Sequence, residues 1–452
     1  MTLRKFLILS AGGLALALSA CAGQADDPVA VGMGTTPQLD APESSLLPTV
    51  KVAEAKRWAP GQMPTAATGL QVTAFATGLD HPRWLYVLPN GDVLVAETNA
   101  PERPDAGKGI RGYFQKEAMK KAGAVTPTAN RISLLRDTDG DGVAETRTAF
   151  LTGLNSPFGM ALAGGRLYIA NTDGVVSVPY SEGSTQAAGA PQQLTDLPGG
   201  PLNHHWTKAL IASKDGTKLY ATVGSNSNIA ENGIAKEEGR AAIWEIDIAT
   251  GEKRLFATGL RNPNGMDWEP SSGALWTAVN ERDELGHNLV PDYITSVKDG
   301  AFYGWPWSYF GQTVDRRVKP ERPEMVAKAI APDYALGAHT ASLGLTFAEG
   351  AKLGEQFASG AFIGQHGSWN RDPYSGYKVI FVPFSSGQPM GQPIEVLTGF
   401  IDAEKQIAFG RPVGVEIGRD GSLLVADDVG NAVWRVAAAG AKPPVDVAAR
   451  TR

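Results

Sequence analysis

Val87-Leu-Pro-Asn-Gly-Asp-Val-Leu-Val-Ala-Glu97 is the clearest copy of a pattern that recurs along the chain. An apolar residue pair leads into a Pro-Asn-Gly-Asp turn, and a second apolar run follows the turn. Such a pattern predicts two antiparallel strands joined by a tight turn. Related patterns follow at Met160–Ala170, Leu210–Ala221, Met266–Thr277, Leu345–Ile363 and Val415–Ala426. The chain is therefore expected to consist of repeated hairpins.

The spacing of the repeats indicates their architecture. Strand repeats with regular turn signals are typical of β-propellers. A four-stranded blade needs roughly 40 to 50 residues, whereas these repeats are about 66 residues apart on average, so the excess must lie in loops. We predict an all-β fold, namely a six-bladed β-propeller with long loop insertions over residues 61–440. A two-sheet sandwich or two unrelated β domains are the alternatives. The predicted turn glycines are Gly91, Gly165, Gly216, Gly273, Gly360 and Gly421.

Two insertions between the repeats have distinct compositions. Residues 109–124 contain a Lys- and Ala-rich run that predicts a short helix, and residues 281–312 are aromatic-rich without periodicity. Because propeller loops form a natural binding face, long insertions are candidate walls of a site.

The N-terminus carries an export signal. Arg4 and Lys5 precede a short apolar run that ends in Leu18-Ser-Ala-Cys21. A cationic flank followed by a short apolar core is typical of a signal peptide, and small residues before a cysteine indicate a bacterial lipoprotein lipidated on Cys21. An ordinary signal peptide that happens to end in cysteine is the alternative. We predict a signal peptide over 1–20, a lipidated N-terminus and disordered linker over 21–60, and a C-terminal tail over 441–452.

Composition narrows the compartment and the partners. The chain has 452 residues and a formal net charge of −6, and cleavage before Cys21 would bring that charge to about −8. This acidic balance argues against a nucleic-acid partner. The single cysteine excludes a disulfide framework and a zinc–thiolate site. Because Ala22, not aspartate, follows Cys21, we expect an outer-membrane lipoprotein that faces the periplasm and contacts the membrane only through its lipid.

Two polar clusters carry candidate chemistry. Pro201-Leu-Asn-His-His-Trp-Thr-Lys208 directly precedes the third repeat, where His204 or His205 could abstract a proton. Gly259-Leu-Arg-Asn-Pro-Asn-Gly265 places a guanidinium fork beside an amide, a pair suited to carboxylates or carbonyl oxygens of an anionic ligand. Structural histidines and a loop arginine paired with an acid are the respective alternatives.

Two further segments contain possible metal ligands. Asn280-Glu-Arg-Asp-Glu-Leu-Gly-His287 groups oxygen donors that suit Ca²⁺, and the aromatics of Tyr303-Gly-Trp-Pro306 could wall a planar cofactor or a sugar. Asp137-Thr-Asp-Gly-Asp-Gly-Val-Ala-Glu145 matches the start of a calcium loop. We predict a structural Ca²⁺ held by Asp137, Asp139, Asp141 and Glu145. A solvated charged loop and a polar hairpin turn are the alternatives.

The order of these motifs resembles the pyrroloquinoline quinone (PQQ)-dependent sugar dehydrogenases, and in particular the L-sorbosone dehydrogenase branch. The motifs in order are His204-His205, Gly259–Gly265, Asn280–Asp283 and Tyr303–Pro306, and the resemblance spans roughly residues 65–437. It implies a six-bladed propeller that binds PQQ and Ca²⁺, with hydride passing from the substrate to the quinone. It also implies oxidation of a sugar or sugar aldehyde and a quinone or cytochrome as electron acceptor.

The resemblance also implies roles for individual residues. His205 matches the general base, and His204, which stands where soluble glucose dehydrogenases carry Asp, leaves the choice between the two histidines open. Arg261 matches the arginine that contacts the quinone and stabilises its reduced form, beside Asn262. Arg282 and Asp283 occupy the calcium-loop positions.

Because PQQ carries three carboxylates, an acidic protein must concentrate cations around it. Arg411 in Phe-Gly-Arg-Pro-Val matches a cofactor-carboxylate arginine, whereas Arg371 and Lys208 are further candidates without a matching motif, and Trp305 is a candidate wall. The cofactor would perform the redox step, and the protein would supply base, orientation and electrostatics.

Two other classes of function remain open from the sequence. One is a calcium-dependent, lactonase-like hydrolase on a six-bladed propeller, which needs no arginine cage. The other is a non-catalytic propeller that binds a protein or glycan. Fold alone does not decide among them.

Overall fold

A computed structural model describes residues 24–43, 49–102 and 117–441 of the chain. Within these residues the helices are short. They are 3₁₀ helices at Val29–Gly32, Ile234–Glu237 and Glu355–Phe357, an α-helix, α1, at Pro323–Val326, and a helical turn over 117–121.

Strands make up most of the described structure. In chain order they are β1 (Met33–Gly34), β2 (Glu54–Ala55), β3 (Thr65–Ala66), β4 (Leu70–Thr77), β5 (Pro82–Val87), β6 (Val93–Glu97), β7 (Arg131–Arg136), β8 (Thr146–Leu151), β9 (Met160–Ala163), β10 (Arg166–Asn171), β11 (Gly174–Pro179), β12 (Gln192–Asp196), β13 (Leu210–Ala212), β14 (Lys218–Val223), β15 (Ala242–Asp247), β16 (Lys253–Thr258), β17 (Pro263–Trp268), β18 (Leu275–Val279), β19 (Pro291–Ser296), β20 (Ser308–Tyr309), β21 (Thr313–Val314), β22 (Tyr334–Ala338), β23 (Ser342–Phe347), β24 (Gly360–Gln365), β25 (Lys378–Ser385), β26 (Gln388–Pro389), β27 (Ile394–Thr398), β28 (Ile401–Asp402), β29 (Ile407–Ala408), β30 (Pro412–Ile417), β31 (Leu423–Asp427) and β32 (Ala432–Ala438). The all-β prediction is confirmed.

Six sheets of four or more strands are present in the described part of the chain. Their orders are β5-β6-β7-β8, β9-β10-β11-β12, β13-β14-β15-β16, β17-β18-β19-β22-β1, β23-β24-β25-β27-β3 and β30-β31-β32-β4. The first strands of successive sheets contact one another, and β30 contacts β5, so these strands form a closed ring.

The ring is closed by pairing between the two ends of the chain. Antiparallel β32 and β4 pair along their length, from Ala432 with Thr77 to Ala438 with Leu70. The sixth sheet therefore takes three strands from the C-terminal part and one from the N-terminal part. Because these hydrogen bonds join residues far apart in sequence, they hold the ring together only when the whole chain is folded.

A separate apolar cluster fills each junction between neighbouring sheets. For example, Phe362 and Phe381 of the fifth sheet pack with Trp434 of the sixth, and Leu94 of the first sheet packs with Leu167 of the second. Each sheet is covered on both faces, so its inner strands are apolar on both sides. All five residues of β6 and of β31 are buried for this reason.

The predicted turn glycines occupy turns in five of the six repeats. Gly91, with φ of 95°, donates to the carbonyl oxygen of Leu88 in the β5–β6 turn. Gly360 is the exception, because it begins β24, where an added Cβ would lie 2.2 Å from the carbonyl oxygen of Val382. This glycine is needed for close approach of two strands and not for a turn.

The N-terminal segment differs from the predicted disordered linker. Its described residues, 24–43 and 49–60, are docked on the sheets. Met33 pairs with Leu336, and Glu54 pairs with Ile407. Trp58 packs edge-on against Trp434 and donates to the carboxylate of Asp427. The Pro- and Ala-rich composition hides these contacts because they are made with residues hundreds of positions away.

Other predictions about the termini and insertions have mixed outcomes. Cys21, the signal peptide and residues 442–452 lie outside the described residues. Of the predicted 109–124 helix, the described residues 117–121 are helical. The insertion at 281–312 contains β19, the third strand of the fourth sheet, and is thus not wholly irregular. In the described residues, no helix has the length and apolar character to cross a membrane.

Candidate active site

Candidate functional side chains lie just before the first strands of several sheets. His81 precedes β5, His205 comes five residues before β13, Arg261 and Asn262 precede β17, and Arg411 precedes β30. Direct contacts and charge interactions join these residues into two groups. They are the His205 group and the Asp428 group.

The His205 group begins with a histidine of fixed tautomer. His205 Nδ1 lies 2.8 Å from the carbonyl oxygen of Ser225, to which it can only donate, and 3.1 Å from the Ser225 hydroxyl. Nε2 is then left with a lone pair. Burial, and then the positive charge of Arg261, lower the pKa of His205 well below 6.5. His205 is therefore neutral at pH 7 and able to accept a proton.

Gly224 allows His205 and the side chain of Asn262 to lie close together. A Cβ on Gly224 would lie 2.4 Å from both Asn262 Oδ1 and His205 Cβ. Only a residue without a side chain allows these segments to meet. Asn262 Oδ1 is buried without a hydrogen-bond partner among the described residues, so a polar atom beside His205 remains available to a ligand.

Arg261 is buried, and all three of its guanidinium nitrogens donate to protein oxygens, so the guanidinium is not free for the direct quinone contact that the resemblance implies. Its Nη1 donates to the carbonyl of Glu281 at 2.6 Å, and its Nη2 donates to Asn228 Oδ1 at 3.0 Å. Asp283 Oδ2 lies 3.5 Å from the same Nη2. These contacts fix the guanidinium near His205, as its influence on the His205 pKa shows.

Asp283 is ionised and joins three segments of the chain. Its Oδ1 accepts from Asn370 Nδ2 at 2.8 Å and lies 3.3 Å from His339 Nδ1. Burial alone would raise the pKa of Asp283, but the His339 bond and the Arg261 charge outweigh it and hold the pKa at about 2. A partly exposed carboxylate of this kind suits a hard cation.

The Asp428 group is a buried charge cluster that the sequence did not reveal. Asp428 Oδ2 lies 3.1 Å from Arg83 Nη1, 2.9 Å from His366 Nε2 and 3.5 Å from His81 Nε2. Burial opposes ionisation, but in acid, where His366 and His81 are protonated, their charges and that of Arg83 hold the pKa of Asp428 far below its ordinary value. Arg411 lies close by, with Nη2 donating to the hydroxyl of Tyr377 at 2.8 Å.

The Asp428 group has two arginines and buried nitrogen atoms without hydrogen-bond partners among the described residues. Burial lowers the pKa of His81 to about 4 and also lowers that of His366, so both rings are neutral at pH 7. Asp427 accepts from the Arg411 amide, and although burial raises its pKa to about 6 it is ionised at pH 7, so the two arginines and the two carboxylates balance. In the described structure, His81 Nε2, Arg83 Nε and Arg411 Nε are buried without hydrogen-bond partners. Such a cluster fits a carboxylate or another anion.

The two groups are neighbours. The Arg83 guanidinium carbon lies 5.7 Å from the centre of the Trp206 ring, and Trp206 directly follows His205. A signal for the missed residues was present, since His81-Pro-Arg83 stands at the entrance of the first repeat, much as His205 does for the third. Asp428 and His366 had no such signal.

Arg371 does not have the cofactor-binding role predicted for it. All three of its guanidinium nitrogens donate to oxygens of the protein, namely the carbonyls of His287, Pro373 and Asp27 and the Oδ1 of Asn288. The side chain joins the N-terminal segment to two loops. Its guanidinium is therefore committed to the protein and not free to take a cofactor carboxylate.

Lys208, Arg282 and Trp305 also have internal partners. Lys208 is fully buried and its Nζ donates to the carbonyl of Trp206 at 3.2 Å. Arg282 is buried between Glu281 and Asp315, so its guanidinium points into the fold and only its main chain remains a metal candidate. Trp305 is buried, and its Nε1 donates to the carbonyl of Asn228 at 3.0 Å.

The acidic motif lies in the turn between β7 and β8. One carboxylate oxygen from each of Asp137, Asp139, Asp141 and Glu145 can be chosen so that all four lie within 4.8 Å of one another. Asp137 also accepts from the amides of Gly140 and Gly142, and Glu145 accepts from Thr138. The geometry fits both a polar hairpin turn and a calcium loop.

The fold and several stretches of sequence are shared with known proteins. The TrAA12-like family model matches residues 64–295 and 319–439. An uncharacterized protein of Borreliella burgdorferi is 29% identical over 293 residues, which cover 63% of this chain and 76% of that protein. The pyrroloquinoline quinone-dependent pyranose dehydrogenase of Coprinopsis cinerea is 24% identical over 428 residues, which cover 81% of this chain and 54% of that enzyme.

A solved structure shares the fold. The holo form of the PQQ domain of Coprinopsis cinerea pyranose dehydrogenase matches with a TM-score of 0.65 at 22% identity, over 85% of this chain and 100% of that domain. The chain thus spans about half the length of the curated pyranose dehydrogenase but the whole of its PQQ domain.

Proposed function

The chain belongs to the TrAA12-like family, and from this premise we propose that it is a PQQ-dependent dehydrogenase that oxidises a sugar or a sugar aldehyde of the sorbosone or aldose type. The pyranose dehydrogenase similarity supports the reaction class. We further propose that the six sheets are the blades of a six-bladed β-propeller, on the basis of the closed ring of first strands.

One observation carries the proposal, namely the state of His205. A neutral imidazole with Nδ1 donating to Ser225 has Nε2 ready to accept the proton of a substrate hydroxyl. Burial, and then the charge of Arg261, keep the ring neutral. His204 is exposed and stays the alternative base.

The residues around the two groups fit PQQ. Arg83 and Arg411 supply charge and buried unpartnered donors for its carboxylates, and Asn262 supplies a buried unpartnered oxygen beside His205. Arg261 lies near enough to influence His205 and could stabilise negative charge in the site electrostatically. When bound, the quinone would act as the hydride acceptor, which no side chain can do.

Calcium is the second proposed cofactor. Asp283, ionised and partly exposed, would hold it together with the main-chain oxygen of Arg282, since the Asp283 carbonyl already accepts from Asn228 and Arg317. A second, structural Ca²⁺ would be held by Asp137, Asp139, Asp141 and Glu145. Oxygen donors of this type are those that Ca²⁺ prefers.

The proposal places the enzyme on the periplasmic side of the envelope as an outer-membrane lipoprotein. The support is the segment that ends in Leu18-Ser-Ala-Cys21. Reoxidation would then fall to a quinone or cytochrome reached from the periplasm, since cytosolic nucleotides are absent there.

Reconstitution tests the proposed function. The apoprotein is incubated with PQQ and Ca²⁺, and visible absorption and reduction of an artificial acceptor are followed with aldoses and with a 2-ketoaldose. Bleaching of the bound quinone on adding sugar is expected. Lactone hydrolysis without PQQ, or no PQQ binding, would instead support the hydrolase or the binding propeller.

A further inference from the structure

We propose that Asn228 is a positioning residue that holds Arg261 and the Asp283 segment in one fixed arrangement around His205. Asn228 lies in the connection between β14 and β15, and Arg261 and Asp283 follow it by 33 and 55 residues. Its relevance to catalysis rests on the proposed function. Its effect on the arrangement can be measured independently of that function.

The side chain of Asn228 pairs with both backbone groups of Asp283. Asn228 Oδ1 accepts from the Asp283 amide at 2.9 Å, and Asn228 Nδ2 donates to the Asp283 carbonyl at 3.1 Å. A carboxamide is suited to this pairing because it offers one acceptor and one donor side by side. Two bonds to one residue fix the orientation of its backbone as well as its distance.

The same asparagine also holds Arg261. Asn228 Oδ1 accepts from Arg261 Nη2 at 3.0 Å, and the Asn228 carbonyl accepts from Arg261 Nε at 3.3 Å. That carbonyl also accepts from Trp305 Nε1 at 3.0 Å. Oδ1 thus uses its two lone pairs for two different segments, so Arg261 and Asp283 cannot move independently while both bonds are made.

The connection that carries Asn228 is itself anchored. The carbonyl of Ser225, three residues earlier, accepts the hydrogen bond that His205 Nδ1 donates. Between them, the Asn226 amide and the Ser227 hydroxyl donate to the buried carboxylate of Glu237. One anchored segment therefore touches the candidate base, the candidate cofactor arginine and the candidate metal segment.

A purely structural role would give different results from a positioning role. A structural asparagine would affect melting temperature alone. A positioning asparagine should change ligand affinity and turnover in protein that is still folded, because small misplacements at a reacting centre lower rates about a hundredfold. Asn99 is a matched control, since its Nδ2 donates to the carbonyls of Ala124 and Thr126 and its Oδ1 accepts from Ala100.

Hydrogen exchange of the apoprotein tests the arrangement without any cofactor. In Asn228→Ala the Asp283 amide loses its acceptor, so the peptide spanning residues 281–289 should exchange faster, whereas Asn99→Ala should leave this peptide unchanged. Unchanged exchange of that peptide in Asn228→Ala would overturn the proposal. If Asn228→Ala does not fold, Asn228→Ser serves instead, because its shorter side chain is still polar but no longer places an acceptor at the Asp283 amide. Faster exchange in that peptide is then the expected result.

Ligand binding tests the consequence. PQQ affinity, measured by quenching of tryptophan fluorescence, should fall about tenfold or more in Asn228→Ala with kcat lowered and KM for sugar little changed, relative to Asn99→Ala. Equal PQQ affinity and kcat in the two variants would overturn the proposal. Failure of the wild-type protein to bind PQQ would reject the proposed function, and the exchange result would still decide the role of Asn228.

Discussion

His205 Nδ1 lies 2.8 Å from the carbonyl oxygen of Ser225, and this contact determines which ring nitrogen can act as a base. A carbonyl only accepts hydrogen bonds, so Nδ1 must carry the proton. Nε2 is left as the acceptor. Because burial and Arg261 lower the pKa of His205, this state persists across neutral pH.

The first prediction concerns the base. His205→Ala should lower kcat by about 10² to 10⁴ while PQQ still binds, whereas His204→Ala should have the smaller effect. In wild type, the pKa of His205 is lowered, so the base is neutral above it and kcat/KM should stay level from about pH 8 down through 6.5. The loss should begin only in more acidic solution. A rate abolished by His204→Ala and spared by His205→Ala would exchange the two assignments.

The second prediction separates the arginines. Arg83→Gln and Arg411→Gln each remove a charge from the Asp428 group and should weaken PQQ binding by about 1.5–3 kcal/mol, as for hydrogen bonds to charged groups. Arg371→Gln should leave PQQ affinity unchanged but destabilise the fold by about 1–3 kcal/mol, because the carbonyls it serves lose their donor. Fluorescence titration and urea unfolding measure the two effects. Equal PQQ affinity in wild type, Arg83→Gln and Arg411→Gln would contradict this anion site.

The third prediction concerns the acidic turn. If Asp137, Asp139, Asp141 and Glu145 hold Ca²⁺, Asp137→Asn should lower stability in calcium by about 1–3 kcal/mol, since an ion that binds only the native state stabilises it. In chelator the difference in stability between wild type and Asp137→Asn should shrink. It should not vanish, because Asp137 also accepts two backbone hydrogen bonds in the turn. Identical wild-type melting with and without chelator would reduce the motif to a turn.

The fourth prediction concerns the carboxyl group of Glu416 on β30, which lies near that of Asp267 on β17. Burial, with the charge of Asp267 adding to it, raises the pKa of Glu416 to about 8. The folded protein then retains a proton that the unfolded chain releases near pH 4.3. The contribution of the protonated Glu416 carboxyl to the free energy of unfolding is therefore full below about pH 4.3. It is lost as the pH rises to about 8.

Glu416→Gln should accordingly be more stable than wild type at pH 8, with a smaller difference at pH 5. Urea midpoints at the two pH values measure the effect. Glu395→Gln is the control, because the Glu395 side chain is 59% exposed and pairs with Lys378 at the surface. A constant difference across pH for Glu416→Gln would show that Glu416 titrates normally.

The fifth prediction concerns the N-terminus. If Cys21 is lipidated, Cys21→Ser should move the protein from the detergent-soluble membrane fraction to the soluble fraction, because the acyl chains supply the attachment. Fractionation with immunodetection measures this. Retention of Cys21→Ser in the membrane pellet would count against lipidation.

Short-range sequence patterns predict part of the fold and part of the candidate site. The hairpin repeats and five of the six turn glycines follow from alternation and turn chemistry, which act over a few residues. His205, Arg261 and Asn262 could also be singled out locally, since each lies just ahead of a repeat. Gly360 could not be placed, because its role depends on a carbonyl of the neighbouring strand.

The Asp428 group, the partners of Arg371 and the docking of the N-terminal segment all depend on long-range contacts. Asp428 meets Arg83 and His366 across 345 and 62 residues, and the donors of Arg371 are taken by carbonyls as distant as that of Asp27. Residues 24–43 and 49–60 have a linker's composition but dock on β22 and β29. The all-β repeat and the side-chain chemistry could be predicted from residue order, because strand and turn preferences are local. Which charges are paired and which donors stay free depends on long-range contacts, because the ring brings distant segments together.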